Sequence, residues 1–168
     1  LRKRVAALRG IQFEKAKQIA ENLEIMPGAK TLCSALKRAG WKLIAVSGGF
    51  TIITDRLRDE LGLDRIFSNE LLFKNGKLDD VRLTVTSDKA IAVIPVIKEM
   101  KYSREDIVVV VDGANDLKLF DLSGYTVGFC PVDKVKEKAD AVIEVRDLSI
   151  LLHLLEKKFG EAVLVAKS

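Results

Sequence analysis

Two carboxylates and an amide stand within five residues at Asp112-Gly113-Ala114-Asn115-Asp116, directly after five consecutive β-branched apolar residues at 107–111. Carboxylate oxygen is the donor that Mg²⁺ prefers, and that ion is usually held by one or two carboxylates together with water and substrate phosphate. Asp-Gly is also a common turn, with Asn115 or Asp116 available as an ordinary helix cap, so the cluster alone supports both readings. A second group, Ser47-Gly48-Gly49, follows the apolar run 41–46 and precedes a helical pattern. A hydroxyl and glycine-freed backbone N–H groups at a helix N-terminus can hold an anion, although Ser-Gly-Gly is also a frequent loop. Lys89 opens another helical stretch, where the default for a lysine is a solvated surface. What raises all three is their joint order: strand, Ser-Gly-Gly, helix; a lysine at a helix start; then strand, Asp-Gly-x-Asn-Asp, helix.

The elements that must position these residues alternate. Residues 1–8 and 13–23 read as two short helices around a turn at Gly10, forming a lid or appendage that ends near Met26. After Pro27-Gly28 come a helix over 29–39, a strand over 41–46 and a helix over 50–61 that stops at Gly62. Between 65 and 86 the pattern becomes period two, with 71–73 and 82–85 flanking the turn dipeptide Asn75-Gly76, which predicts a β-hairpin insertion. A helix over 88–101 contains Pro95, and the run 107–111 suits a strand covered on both faces. Helix 116–122, strand 125–129, helix 134–138, strand 141–145 and helix 148–157 complete an α/β fold with a mainly parallel sheet, and the tail 161–168 is left undecided. In such a sheet ligands bind beyond the carboxyl ends of the strands, where Ser47 and Asp112 stand.

Composition excludes several classes. A chain of 168 residues builds one compact core with at most a small appendage, and its 28 basic and 24 acidic residues interleave rather than gather in a stripe, which argues against nucleic acid as a partner. No apolar run approaches a bilayer span, so a membrane partner is not expected. Two cysteines, Cys33 and Cys130, with a single histidine, His153, make neither a disulfide framework nor a zinc site. A reducing, cytoplasmic setting is expected, and homodimerisation is left open.

The order Ser47, Lys89 and Val111-Asp112-Gly113-Ala114-Asn115-Asp116 resembles the haloacid dehalogenase superfamily of phosphatases, whose second motif is a Ser or Thr after a strand, whose third is a Lys and whose fourth is Gly-Asp-Gly-x-Asn-Asp. Val111 departs from the usual glycine, which is expected to crowd the loop slightly without removing a ligand. Leu1-Arg2-Lys3-Arg4-Val5, Pro27-Gly28-Ala29, Val46-Ser47-Gly48-Gly49-Phe50, Asn75-Gly76-Lys77-Leu78 and Lys136-Glu137-Lys138-Ala139-Asp140 are similar to the phosphoserine phosphatase family over nearly the whole chain. The resemblance implies a Rossmannoid core over 26–168 with a β-hairpin insertion and, over 1–25, part of a small helical cap. It implies Mg²⁺ as cofactor on Asp112, with Asp116 in the metal's outer sphere or coupled to Lys89. Ser47, Gly48, Gly49 and Lys89 would hold phosphate oxygens, Asn115 would reach substrate or phosphate, and Arg4 would pair with the carboxylate of phosphoserine. The plain alternative for Arg4 is a solvated basic face beside Arg2, Lys3 and Arg9.

In that family an aspartate in an Asp-x-Asp-x-Thr motif attacks phosphorus to form an aspartyl-phosphate, and a second aspartate protonates the serine leaving group. No such motif occurs in these 168 residues; Glu14, Glu21 and Glu24, upstream of Ser47, lie on the two cap helices. The family places the missing strand between those ending at Ser47 and Val111, which predicts two unpaired strand edges and a gap. With an uncapped start at Leu1, the expectation is that an upstream segment or another chain supplies the nucleophile. Alternatives carried forward are a non-catalytic relative that binds a phosphate ligand, and a phosphatase or phosphotransferase for another small phosphoester such as phosphohomoserine.

Overall fold

The computed structural model describes residues 1–165, the side chain of Arg4 excepted. Two short helices, α1 (Arg2–Ala6) and α2 (Phe13–Glu21), precede α3 (Ala29–Arg38) and then β1 (Ile44–Phe50), α4 (Thr51–Leu61), β2 (Arg65–Lys74) and β3 (Lys77–Arg82). The second half runs α5 (Ala90–Met100), β4 (Val108–Val111), a 3₁₀ helix Ala114–Leu122, β5 (Tyr125–Phe129), α6 (Asp133–Lys136), β6 (Ala141–Ile143) and α7 (Ile150–Phe159). A 3₁₀ turn at Glu161–Leu164 follows, tied down where the Trp41 indole N–H donates to the Val163 carbonyl at 3.0 Å. The alternation expected of an α/β fold is therefore present.

The strands form two three-stranded sheets, β1-β2-β3 and β4-β5-β6. β1 pairs with β2 in parallel and β4, β5 and β6 are parallel throughout, whereas β2 and β3 are antiparallel. An apolar layer underlies the second sheet and reaches Leu43, just ahead of β1: Leu32 and Leu36 of α3 and Leu151 and Leu155 of α7 share a cluster with Leu43, Val127 and Ile143, and Val108 and Val110 pack against it. A fully buried aliphatic side chain such as Leu155, 1% exposed, contributes about 2–3 kcal/mol by leaving water. Among the described residues, neither β1 on its side away from β2 nor β4 on its side away from β5 has a strand partner.

That open edge explains a difference from expectation. The run 107–111 reads as a strand covered on both faces, yet only Val111 is fully buried and Val108, Val109 and Val110 are half-buried. Val111, expected to crowd its loop, instead packs with Phe120 and Val135 in a small cluster of its own.

Other boundaries shift for local reasons. β1 starts at Ile44 and continues past Val46 to Phe50, with its register to β2 breaking between those two residues, so Ser47-Gly48-Gly49 is an irregular part of the strand and not its end. The hairpin turn is at Asn75-Gly76 as expected, with φ of 51° and 73°, the doubly left-handed backbone of a two-residue turn. Such a turn makes pairing resume at once, and the second strand is Lys77–Arg82 rather than 82–85. Residues 65–69 of β2 pair with β1 in the core, while 70–74 pair with β3. The hairpin packs under the first two helices: Val5, Leu78 and Val81 form a buried cluster joined by Ile11, Phe50, Leu71 and Phe73.

Candidate functional site

The loop after β4 is built by the start of the 3₁₀ helix. Gly113 is extended, the Asp116 N–H donates to the Gly113 carbonyl at 3.0 Å, and Asp116 is thereby turned inward, 7% exposed. Asp112 stays exposed, and its carbonyl accepts the Val132 N–H at 3.0 Å, tying the loop to the segment after β5. Asn115 is exposed. No atom lies within 4 Å of where a Cβ on Gly113 would sit, so the loop faces open space.

Lys89 is brought to this loop by a turn over Thr86–Asp88. The Thr86 hydroxyl donates to the Asp88 carbonyl, and the Asp88 carboxylate accepts the Ala90 N–H at 3.2 Å, which caps the first turn of α5. Asp88 is itself paired with Lys118 at 2.6 Å. The Lys89 ammonium then lies 2.8 Å from Asp116 Oδ1 and 2.9 Å from Oδ2. The ammonium thus spans both carboxylate oxygens, and Oδ1, buried, has Lys89 as its one partner among the described residues. Of the two roles anticipated for Asp116, coupling to Lys89 is what the structure displays.

Ser47, Gly48 and Gly49 form the irregular stretch of β1 that precedes its last residue, Phe50. The Gly49 N–H donates to Ser47 Oγ at 3.0 Å, so the hydroxyl proton of Ser47 is free to donate elsewhere. Nothing lies within 4 Å of a Cβ built on Gly48, and the residue is exposed. Among the described residues no hydrogen bond links this loop directly to Asp112, Asn115 or Lys89. The side chain of Arg4 lies outside the described residues, so its expected carboxylate contact does too.

The oxygen donors of Asp112, Asn115 and Asp116, gathered within five residues, suit a hard divalent cation. Among the described residues no group of three or more His, Cys, Asp or Glu side chains could hold a metal ion, so the protein alone offers Mg²⁺ at most a partial coordination shell. Mg²⁺ commonly completes its shell with water and phosphate, and the donor set fits that ion on those terms.

Two residues that the sequence reading passed over shape the site's surroundings. Asn69, fully buried, donates from Nδ2 to the Gly48 carbonyl at 3.1 Å and accepts the Thr84 and Val85 N–H groups at 3.0 Å each. Arg56 of α4 donates to the carbonyls of Ala20, Glu21 and Leu23 at 3.1, 2.7 and 3.0 Å, closing the C-terminus of α2. The only sequence signal for Asn69 is polar Ser68-Asn69 interrupting an otherwise apolar strand. No helix among the described residues is long and apolar enough to cross a membrane.

A model of haloacid dehalogenase-like hydrolases matches residues 2–121. The phosphoserine phosphatase of Methanocaldococcus jannaschii is 38% identical over 159 residues, covering 93% of this chain and 75% of that protein. The phosphoserine phosphatase of Archaeoglobus fulgidus is equally similar at 38%, but the chain spans only 46% of its length. A solved phospho-aspartyl intermediate analogue of phosphoserine phosphatase superposes with a TM-score of 0.85 at 36% identity, covering 90% of this chain and 74% of that one. The chain therefore belongs to the haloacid dehalogenase-like hydrolases and, within them, to the phosphoserine phosphatase family.

Proposed function

We propose that the chain carries the phosphate-holding part of a Mg²⁺-dependent phosphatase acting on O-phosphoserine, in the last step of serine synthesis, and that it works in the cytoplasm. The observation that carries the reading is the Lys89–Asp116 pair, which holds a partly exposed ammonium against the buried carboxylate of the loop that Asp112 opens. Lys89, Ser47 and the Gly48 amide would hold phosphate oxygens directly, the ammonium acting as a point charge, and Gly49 would do so through the Ser47 hydroxyl that its N–H supports. Asn115 would reach substrate. Asp112 and Asp116 would hold Mg²⁺, which when bound neutralises charge on the phosphate. Arg4 keeps its expected pairing with the substrate carboxylate on family resemblance alone.

The attacking carboxylate, on this proposal, comes from a strand other than the six described, seated between β1 and β4. Their free edges support that placement. Attack on phosphorus would break the phosphorus–oxygen bond to serine, a neighbouring carboxylic acid would protonate the departing oxygen, and water would hydrolyse the aspartyl-phosphate. The free thiols of Cys33 and Cys130 suit a reducing compartment.

The gene-length polypeptide, assayed with Mg²⁺ for phosphate release, tests this reading. Preference for phosphoserine over phosphohomoserine and sugar phosphates is expected. No release, or faster release from a sugar phosphate, refutes the substrate assignment; phosphate binding without turnover by the gene-length protein favours a non-catalytic binding role.

A further inference from the structure

We propose that Asn69 is the positioning residue of the phosphate site, fixing the Ser47–Gly49 loop and the segment that delivers Lys89 to one another. The inference rests on the reading of Ser47, Gly48, Gly49 and Lys89 as phosphate ligands. Asn69 is 0% exposed and sits where β2 leaves the core for the hairpin, opposite Phe50 in the register of β1. Its three bonds join three stretches of chain: its own strand, the loop at Gly48, and the returning segment at Thr84 and Val85, four residues ahead of Lys89. Val85 is itself 5% exposed, and the Thr84 hydroxyl donates to the Ser68 carbonyl, whose side chain in turn bonds Thr54 of α4 at 2.7 Å. The returning segment is thus pinned to β2 through both its backbone and the Thr84 side chain.

The chemistry requires an amide. Two N–H groups saturate the Oδ1 acceptor and a carbonyl needs a donor opposite it, so the orientation of the side-chain amide is dictated by its partners. The bond to Gly48 also aims the loop. In a planar trans peptide the carbonyl and the following N–H point in opposite directions, so holding the Gly48 oxygen inward turns the Gly49 N–H outward, toward Ser47 Oγ. With its oxygen occupied as an acceptor, the Ser47 hydroxyl is left to donate toward an anion. A change that frees Gly48 would therefore cost phosphate binding even if the fold stays intact.

Inorganic phosphate titrated into the full chain, with backbone amide shifts of Gly48 and Gly49 followed by NMR, is the test. Asn69→Asp keeps an acceptor for Thr84 and Val85 but loses the donor to Gly48, and phosphate affinity is expected to fall about tenfold while amide exchange at Thr84 and Val85 stays within about twofold. Asn69→Ala loses both. Thr126→Val, a buried polar truncation at the amino end of β5 whose bonds are to Asp140, is a control for general destabilisation and retains affinity within about twofold. In the unmodified chain, saturating phosphate should slow exchange at Thr84 and Val85 several-fold, because coupling between two places is reciprocal. Undiminished affinity in Asn69→Asp, an equal loss in Thr126→Val, or unchanged exchange at Thr84 and Val85 in the phosphate-saturated chain overturns the inference alone. Absence of any phosphate response at Gly48 and Gly49 in the unmodified chain overturns the site reading and the inference together.

Discussion

Replacing Lys89 with methionine keeps the length of the side chain and removes its charge, which leaves Asp116 buried without its cation. At 2.8 Å, and with an effective dielectric of about 20, the attraction between the two charges is about 6 kcal/mol before desolvation. Desolvation of both groups offsets most of that, and the Lys89 side chain, 22% accessible, keeps part of its hydration and weakens the contact further. The intact pair thus adds little net stability. Removing one member is costlier, because Lys89 contacts both oxygens of the buried Asp116 carboxylate and its loss leaves that charge unpaired. We expect Lys89→Met to lose about 2–3 kcal/mol, seen as a fall of roughly 1 M in the urea midpoint. Lys89→Met combined with Asp116→Leu should recover most of it, with a coupling energy above about 1 kcal/mol. A single substitution costing under about 0.5 kcal/mol, or a double costing the sum of the two singles, would refute the account of the pair.

Three further outcomes follow from geometry. Gly28, with φ of 76°, would place a Cβ 1.9 Å from Asp147 Oδ1 and 2.4 Å from the Ser149 amide nitrogen, whereas Gly62, with φ of 64°, has open space around it. Gly28→Ala should therefore cost more than about 3 kcal/mol in urea unfolding and Gly62→Ala only about 1 kcal/mol. Arg56→Ala removes the donor to three carbonyls at the end of α2, and amide exchange in α2 should rise at least several-fold while β5 exchange stays unchanged. The Thr126 hydroxyl and then the Thr126 amide hold the Asp140 carboxyl below its ordinary value of 3.8, so the charged form is favoured in the folded state. Its contribution is present above that ordinary value and is lost as pH falls through the lower folded one, so the stability gap between the wild type and Asp140→Asn should hold near neutrality and close below pH 3.8.

How much of this was legible depended on whether the deciding partner is near in sequence. The strand at Tyr125–Phe129 was readable at both ends because Gly124 and the Pro131 that follows punctuate an apolar run. The Asn75-Gly76 turn was readable because it needs φ > 0 at two successive residues. The cluster at Asp112 and the lysine at 89 were readable from order, and the structure adds what order cannot contain, the inward turn of Asp116 onto that lysine. Asn69 was not readable, since its partners stand 21, 15 and 16 residues away and its role exists only once three segments meet. The second hairpin strand was misplaced because Leu83 and Val85 continue an apolar alternation, yet pairing ends at Arg82, Leu83 stays exposed and only Val85 is buried. The half-exposure of Val108, Val109 and Val110 was invisible for a related reason: an apolar run records the neighbours a strand needs, not those the described residues supply.

One ten-residue strand, β2, belongs to two assemblies, its first half in the parallel core and its second in the hairpin that shelters under α1. The hairpin consequently cannot be excised or exchanged as a cassette. Any recombination joint at its base would cut a continuous strand between Asn69 and Glu70, where one ladder hands over to the other, and a graft one residue out of step would present the wrong face to both partners at once. Diversification of this region is confined to substitutions and to changes in the turn, so variation should accumulate around residues 74–77 and on the outward faces of α1 and α2, while β2 keeps its length.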